Sequence, residues 1–247
     1  MRKIVFLIPL ISLALSSLSQ ENKHLLIYTH NGPGFVHKNI EVSVDALKKI
    51  ADGQGWTYQV TDDPAIFTDT QLKQIDAIIF SNTNNAAFLT QDQRMAFQEY
   101  IRGGGRFVGI HSACGSEREW PWFWAMLGGK FVRHPMLQPF DVIITDPDHP
   151  STQNLPQIWK WEDECYFMDH LNPDIHVLLS VDLKTIDDDQ KIVFPGAIFG
   201  DLFPLAWCHQ FDGGKQWFTA LGHKPEHYSD HNFIEHLKGG LIWVLDK

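Results

Sequence analysis

The residues best suited to chemistry sit in Gly109-Ile110-His111-Ser112-Ala113-Cys114-Gly115. There an apolar stretch ends in a polar side chain flanked by small residues, which is how a tight turn lifts one side chain clear of a sheet. The lifted residue is His111, a base or a metal ligand, with Ser112 and Cys114 as nucleophilic alternatives. In Arg133-His134-Pro135 the residue before proline is confined to extended backbone, so His134 is aimed in a set direction. Trp161-Glu162-Asp163-Glu164-Cys165-Tyr166 puts three acids beside aromatic rings. A carboxyl that loses hydration there has a raised pKa, which suits acid–base work, and Glu164 is the candidate. Trp207-Cys208-His209 and Leu221-Gly222-His223 each end a strand in a histidine, both placed to face one pocket. In Asp146-Pro147-Asp148-His149-Pro150-Ser151, a stiff turn, Asp148 is expected to cap Ser151 or a helix beyond it.

The totals of 13 His and 9 Trp point the same way. Imidazoles serve metals and proton transfer, and indole rings stack on sugars or fill cores. No C-x-x-C, H-E-x-x-H, G-x-S-x-G or phosphate-cradling loop occurs, which argues against zinc fingers, zincins, serine hydrolases and nucleotide hydrolases. A divalent metal held by His111, His134 and His223 stays open, and no other cofactor is called for.

These residues need a scaffold, and the first half alternates strand and helix. Apolar runs predict strands over residues 24–29, 56–60, 76–80 and 106–110. Ile40, Val44, Leu47 and Ile50 recur at helical spacing, Asp69 to Gln74 is a helical turn, and Thr90 caps a helix running to Ile101. This order predicts right-handed crossovers and a doubly wound, mostly parallel α/β sheet with helices on both faces, flavodoxin-like. Ligands then bind beyond the carboxyl ends of the strands, at residues 29–37, 81–85 and 111–115. The second half is less regular. It predicts antiparallel additions over 140–144, 175–180, 205–209 and 216–220, a loop tip at 187–190 and a closing helix from Phe233 to Leu245.

Arg2 and Lys3, the apolar run Ile4 to Leu15 and the small residues Ser17 and Ser19 read as a signal peptide cut before Gln20. The run is about twelve residues, short of the roughly twenty that span a bilayer. The expectation is export to the periplasm or beyond, with residues 20–247 forming one domain and no membrane anchor after cleavage. Losing Arg2 and Lys3 takes the 20 basic side chains to 18 against 30 acidic, a surface that repels nucleic acid. Three cysteines, Cys114, Cys165 and Cys208, leave at least one free thiol.

Taken in order, a longer set of motifs narrows the reading. They are Gly34-Phe35-Val36-His37, Asp62-Asp63-Pro64-Ala65-Ile66-Phe67-Thr68, the glycine-rich helix end Tyr100 to Gly105, Gly109-Ile110-His111-Ser112-Ala113, Phe131-Val132-Arg133-His134-Pro135, Asp148-His149-Pro150-Ser151, Asp163-Glu164, Leu205-Ala206-Trp207-Cys208-His209 and Ala220-Leu221-Gly222-His223. On these the chain resembles the ThuA-like (trehalose-utilisation) family from about His24 to Leu245. The resemblance implies a fold similar to class I glutamine amidotransferases. Those enzymes carry a nucleophilic cysteine at the elbow where this chain has His111, so amidotransferase chemistry is not expected. It also implies disaccharide uptake and breakdown, often beside oxidoreductases that make keto-sugars, and a pocket of His37, His111, His134, Glu164 and His223.

The expected protein is an exported carbohydrate isomerase, lyase or hydrolase acting on keto-glycosides or disaccharides. His111, Glu164 and His134 would move protons, and His37, His223, Asp163, Trp120, Tyr166 and His209 would hold the sugar. A non-catalytic sugar-binding module and a metal-dependent hydrolase are the alternatives. A small carbohydrate is the expected partner, with homo-oligomerisation left open.

Overall fold

Strands with no polar face must be covered on both sides, and the apolar runs at 24–28, 77–81 and 106–110 are packed that way, whereas 57–61 is a largely exposed edge strand. A computed structural model describes residues 22–246; the signal-peptide reading of residues 1–19 lies outside the described residues. The chain runs β1 (His24–Tyr28), α1 (Ile40–Gly53), β2 (Thr57–Thr61), α2 (Asp69–Leu72), β3 (Ala77–Ser81), α3 (Gln91–Arg102) and β4 (Arg106–Ile110). It continues through α4 (Pro121–Leu127), β5 (Lys130–Arg133), β6 (Gln138–Ile144), β7 (Ile158–Asp163), β8 (Phe167–Asp169), β9 (His176–Asp182), β10 (Leu202–Phe211), β11 (Gly214–Thr219) and α5 (His231–Leu245).

Among the described residues the main sheet has nine strands in the order β2-β1-β3-β4-β11-β10-β9-β6-β7. Every pairing from β2 to β11 is parallel, and every pairing from β11 to β7 is antiparallel. The parallel half is the flavodoxin-like order, whose topological switch point lies between β1 and β3. Helices α1 and α5 touch each other on one face, and α3 and α4 cover the other. Phe80, Phe97, Phe107 and Phe123 interlock beneath α3 and α4, with ring centroids about 5 to 6 Å apart.

Local signals account for several joints. Thr90 and Gln93 form a reciprocal cap: the Gln93 N–H donates to Thr90 Oγ1, and Gln93 Oε1 accepts from the Thr90 N–H. Asp212 and Gly213 both have positive φ, the geometry of a two-residue hairpin, and join β10 to β11 so that β11 returns parallel to β4.

Four elements are absent from the sequence reading: α4, β5, β7 and β8. Strand β7 did carry a signal, since Ile158 to Asp163 alternates exposed and buried along its length. The small β5–β8 pair has four and three residues, too few to show a period. The segment at 187–190 is a loop that winds into a 3₁₀ turn, where Asp188 accepts a bond from Arg133. In the 146–151 turn Asp146, not Asp148, takes the capping bond, accepting from the Asp148 N–H. No helix among the described residues is long and apolar enough to cross a membrane.

Candidate functional site

Strand ends bring the site together. His37 follows β1, Asn84 follows β3, His111 and Ser112 follow β4, and His223 follows β11. The second half of the chain adds Glu164 and Tyr166 from the β7–β8 connection and His134 from just beyond β5, which pairs with β8 outside the main sheet. A cavity of about 320 Å³ is lined by Phe35, His37, Asn84, Ser112, Gly115, Arg118, Phe131, His134, Glu164 and Tyr166. A larger one, about 460 Å³, lies near the starts of β3 and β4, around Asp76, Tyr100 and Arg106. It holds no histidine and sits at the wrong end of the sheet for ligand binding in this fold.

His111 adopts φ +49°, the strained left-handed geometry of an elbow residue. Its Nδ1 lies 2.7 Å from the Ala220 carbonyl oxygen, which only accepts, so Nδ1 carries the proton. Nε2 is then the lone pair, accepting from the Tyr166 hydroxyl at 2.9 Å. Burial and the neighbouring His37 push the His111 pKa well below the usual range, so the ring is neutral. His37 is pushed down to about 4 by burial, and its buried Nδ1 has no hydrogen-bond partner. The rings of His37, His111 and His223 stand edge-on, with centroids 4.8 to 5.4 Å apart.

Glu164 sits among these imidazoles. Its carboxylate lies 3.8 Å from His111 Nε2, 3.8 Å from His134 Nε2 and 3.1 Å from His223 Nδ1. Burial pushes its pKa up, as the aromatic setting suggested, but the His223 contact and the surrounding imidazoles outweigh burial and hold it below the usual value. The expectation of a raised Glu164 pKa is therefore corrected: Glu164 is a carboxylate, a base or ligand rather than a proton donor. His223 is shifted the other way, raised by the Glu164 carboxylate 3.1 Å away. The acid that burial does raise is Asp163.

Asp163 has no exposed surface and cannot touch a substrate. It accepts from Trp161 Nε1 at 2.8 Å and from the backbone N–H groups of Gly222 (2.8 Å), His223 (3.3 Å) and Glu164 (2.8 Å). It thus clasps the end of β7 to the segment carrying His223. Asn39, which the sequence reading passed over, holds the same segment by donating to the carbonyls of Gly222 and His223.

Two more candidates fall elsewhere. His209 is buried and donates Nε2–H to the Met126 carbonyl, away from the pocket, because its side of β10 packs on α4. Trp120 stacks on Trp122 and packs against Phe88 and Arg94 at the start of α4. Cys114 is no nucleophile: its buried thiol donates to the His111 carbonyl, and burial pushes its pKa up. All three cysteines are free thiols. Arg118 and Phe131 line the cavity without having been named as candidates, and Asn84 comes from the 81–85 strand end where a ligand was expected. Phe131 fell within a quoted motif, whereas Arg118 lies in a charged Ser-Glu-Arg-Glu run that reads as solvated surface.

The arrangement offers one carboxylate, two neutral imidazoles with available lone pairs and one imidazole inclined to hold a proton. Such a set can move protons, or it can hold a cation. His37, His111, Glu164 and His223 each present one ligand atom, all within 4.8 Å of one another.

Comparison with known proteins agrees with the fold described above. The ThuA family, described as trehalose utilisation, matches residues 24–244. A ThuA-like protein from Bacteroides uniformis superimposes with a TM-score of 0.72 at 28% identity, over 90% of this chain and 91% of that one. A ThuA-like protein from Parabacteroides merdae shares the fold with a TM-score of 0.68 at 18% identity, over 91% and 90%. Among curated proteins none matches.

Proposed function

The chain belongs to the ThuA family of trehalose utilisation, and from its carbohydrate-utilisation role we propose that it is an exported enzyme acting on keto-glycosides or disaccharides by proton transfer. The observation that carries this is the Glu164 carboxylate within 3.1 to 3.8 Å of three imidazoles at the rim of the sheet. A carboxylate in that setting removes a proton from carbon beside a keto group, or from a hydroxyl, and His223 beside it supplies one to the departing oxygen. His111, neutral and fixed in one tautomer, accepts at Nε2 when Tyr166 yields its place. Phe35, Phe131 and Tyr166 give apolar surfaces for a sugar ring.

The test is incubation of the mature protein with 3-keto-glucosides and with trehalose, followed by mass spectrometry. A new product from either supports the reading. No product from any carbohydrate, with ligand-induced thermal stabilisation retained, would favour a binding module instead.

A second reading has its own observation. The buried Nδ1 of His37 has no hydrogen-bond partner, and His223 Nδ1, although 3.1 Å from Glu164, makes no bond of good geometry. Nitrogens left in this state suit a zinc site of three histidines and one carboxylate. With metal–nitrogen bonds of about 2.0–2.1 Å, a tetrahedral set has edges of about 3.4 Å, so a spread of up to 4.8 Å needs a modest contraction. The group would supply Lewis acidity or an activated water. Elemental analysis should then find about one zinc per chain, with turnover lost to a chelator. Metal-free protein that turns over fully would dismiss it.

A further inference from the structure

Arg118 lines the pocket yet has no part in the proton transfer. Its Nε donates to the Gly115 carbonyl and its Nη2 to Asn84 Oδ1, both at 3.0 Å, and its guanidinium lies 5.6 Å from the centre of the Phe131 ring. Gly115 makes room for this: a Cβ there would come within 2.5 Å of Asn84 Oδ1 and 3.3 Å of Arg118 Nη2. The side chain is thus held in place and braced, not loose on the surface.

Its charge is not balanced. Arg94 is paired with Glu117, Arg102 with Glu99 and Asp212, and Arg133 with Asp188. Among the described residues no carboxylate lies within 4.0 Å of Arg118. Of the five N–H groups of a guanidinium, two are used here. Ser112 adds a second, independent observation. Its hydroxyl is buried, lines the same cavity and has no hydrogen-bond partner. A half-buried cation without a counter-charge and a buried hydroxyl without a partner are both costly unless a ligand completes them.

Resting on the carbohydrate reading above, we infer that the substrate is an acidic sugar, a uronate or an aldonate, whose carboxylate sits on Arg118 and Ser112. The planar guanidinium fork matches a carboxylate, and the Ser112 hydroxyl donates to it. In a chain of formal net charge −10, the surface alone would not draw in an anion, so a cation built into the pocket supplies the local attraction. The ionisable groups sharing the cavity are His37, His134, Glu164 and Tyr166, and they take the reacting end of the sugar.

The test pairs each acid with its neutral isostere: glucuronate with glucuronamide, and galacturonate with galacturonamide, by calorimetry. For at least one pair the acid should bind about tenfold tighter or more. That preference should vanish in Arg118→Gln, survive in part in Arg118→Lys, and shrink severalfold in Ser112→Ala, with Tm within a few degrees of wild type. Equal binding of acid and amide, with both weakened by Phe131→Ala, would overturn the acidic subsite and leave the sugar site standing. Failure of every acid and every amide to bind, while 3-keto-glucosides or trehalose still give product, would overturn the acidic subsite alone; failure of binding and of product together would overturn both.

Discussion

A histidine's role depends on what its two nitrogens meet, and the sequence shows neither. His111 and His209 illustrate this: the first directly follows β4, the second lies inside β10 where a strand end was expected, and both are buried. The first presents its Nε2 lone pair, 3.8 Å from Glu164, to the Tyr166 hydroxyl, and the second spends Nε2 on the Met126 carbonyl. His209→Ala should therefore cost about 1–3 kcal/mol of stability yet leave turnover within twofold of wild type, as denaturant melts and kinetics on the same preparation would show. A tenfold loss of turnover in a folded variant would return His209 to the site. Glu164 carries the same lesson. Aromatic neighbours were visible in the sequence and do push its pKa up, but the imidazoles that reverse the shift come from far along the chain.

Elements set where these side chains point. The parallel half, β1 to β4 with α1 and α3, was legible because buried strands and amphipathic helices have long, clear periods. The second half was not, because β5 and β8 are too short to show one. That gap matters, since Tyr166 and His134 lie beside these two strands. The clasp on the β11 end depends on Gly222, which has φ +120° and donates to Asp163. A Cβ there would lie 2.8 Å from the Tyr228 hydroxyl and 3.0 Å from the Phe233 ring. Gly222→Ala should lower stability by about 1–3 kcal/mol and reduce turnover as His223 shifts. Unchanged stability and turnover would mean that the clasp does not position His223.

At the scale of the whole molecule, many histidines are spent on structure. Burial lowers His149 to about 4 and His236 to about 3, and it lowers His209 as well. Each binds a proton in the unfolded chain below about pH 6.5 while staying neutral in the fold. Stability is then complete above pH 6.5 and falls as pH drops toward 4 and 3. Tm should fall by at least about 10 °C between pH 7 and pH 4, and a flat profile would contradict the burial of these rings. The general location of the candidate site was legible, because strand ends in this topology converge. Which histidines reach it was not, because that depends on the direction in which each side chain leaves the backbone: His209 turns to Met126 on α4 while His37, His111 and His223 turn to one another. The central claim is that His111 and Glu164, distant in sequence, act as one unit. A double-mutant cycle on turnover tests it most directly, using His111→Ala, Glu164→Gln and their combination. Each single change should cost about 10²–10⁴-fold, with the double variant no worse than the poorer single. Losses that multiply, or variants as active as wild type, would contradict it.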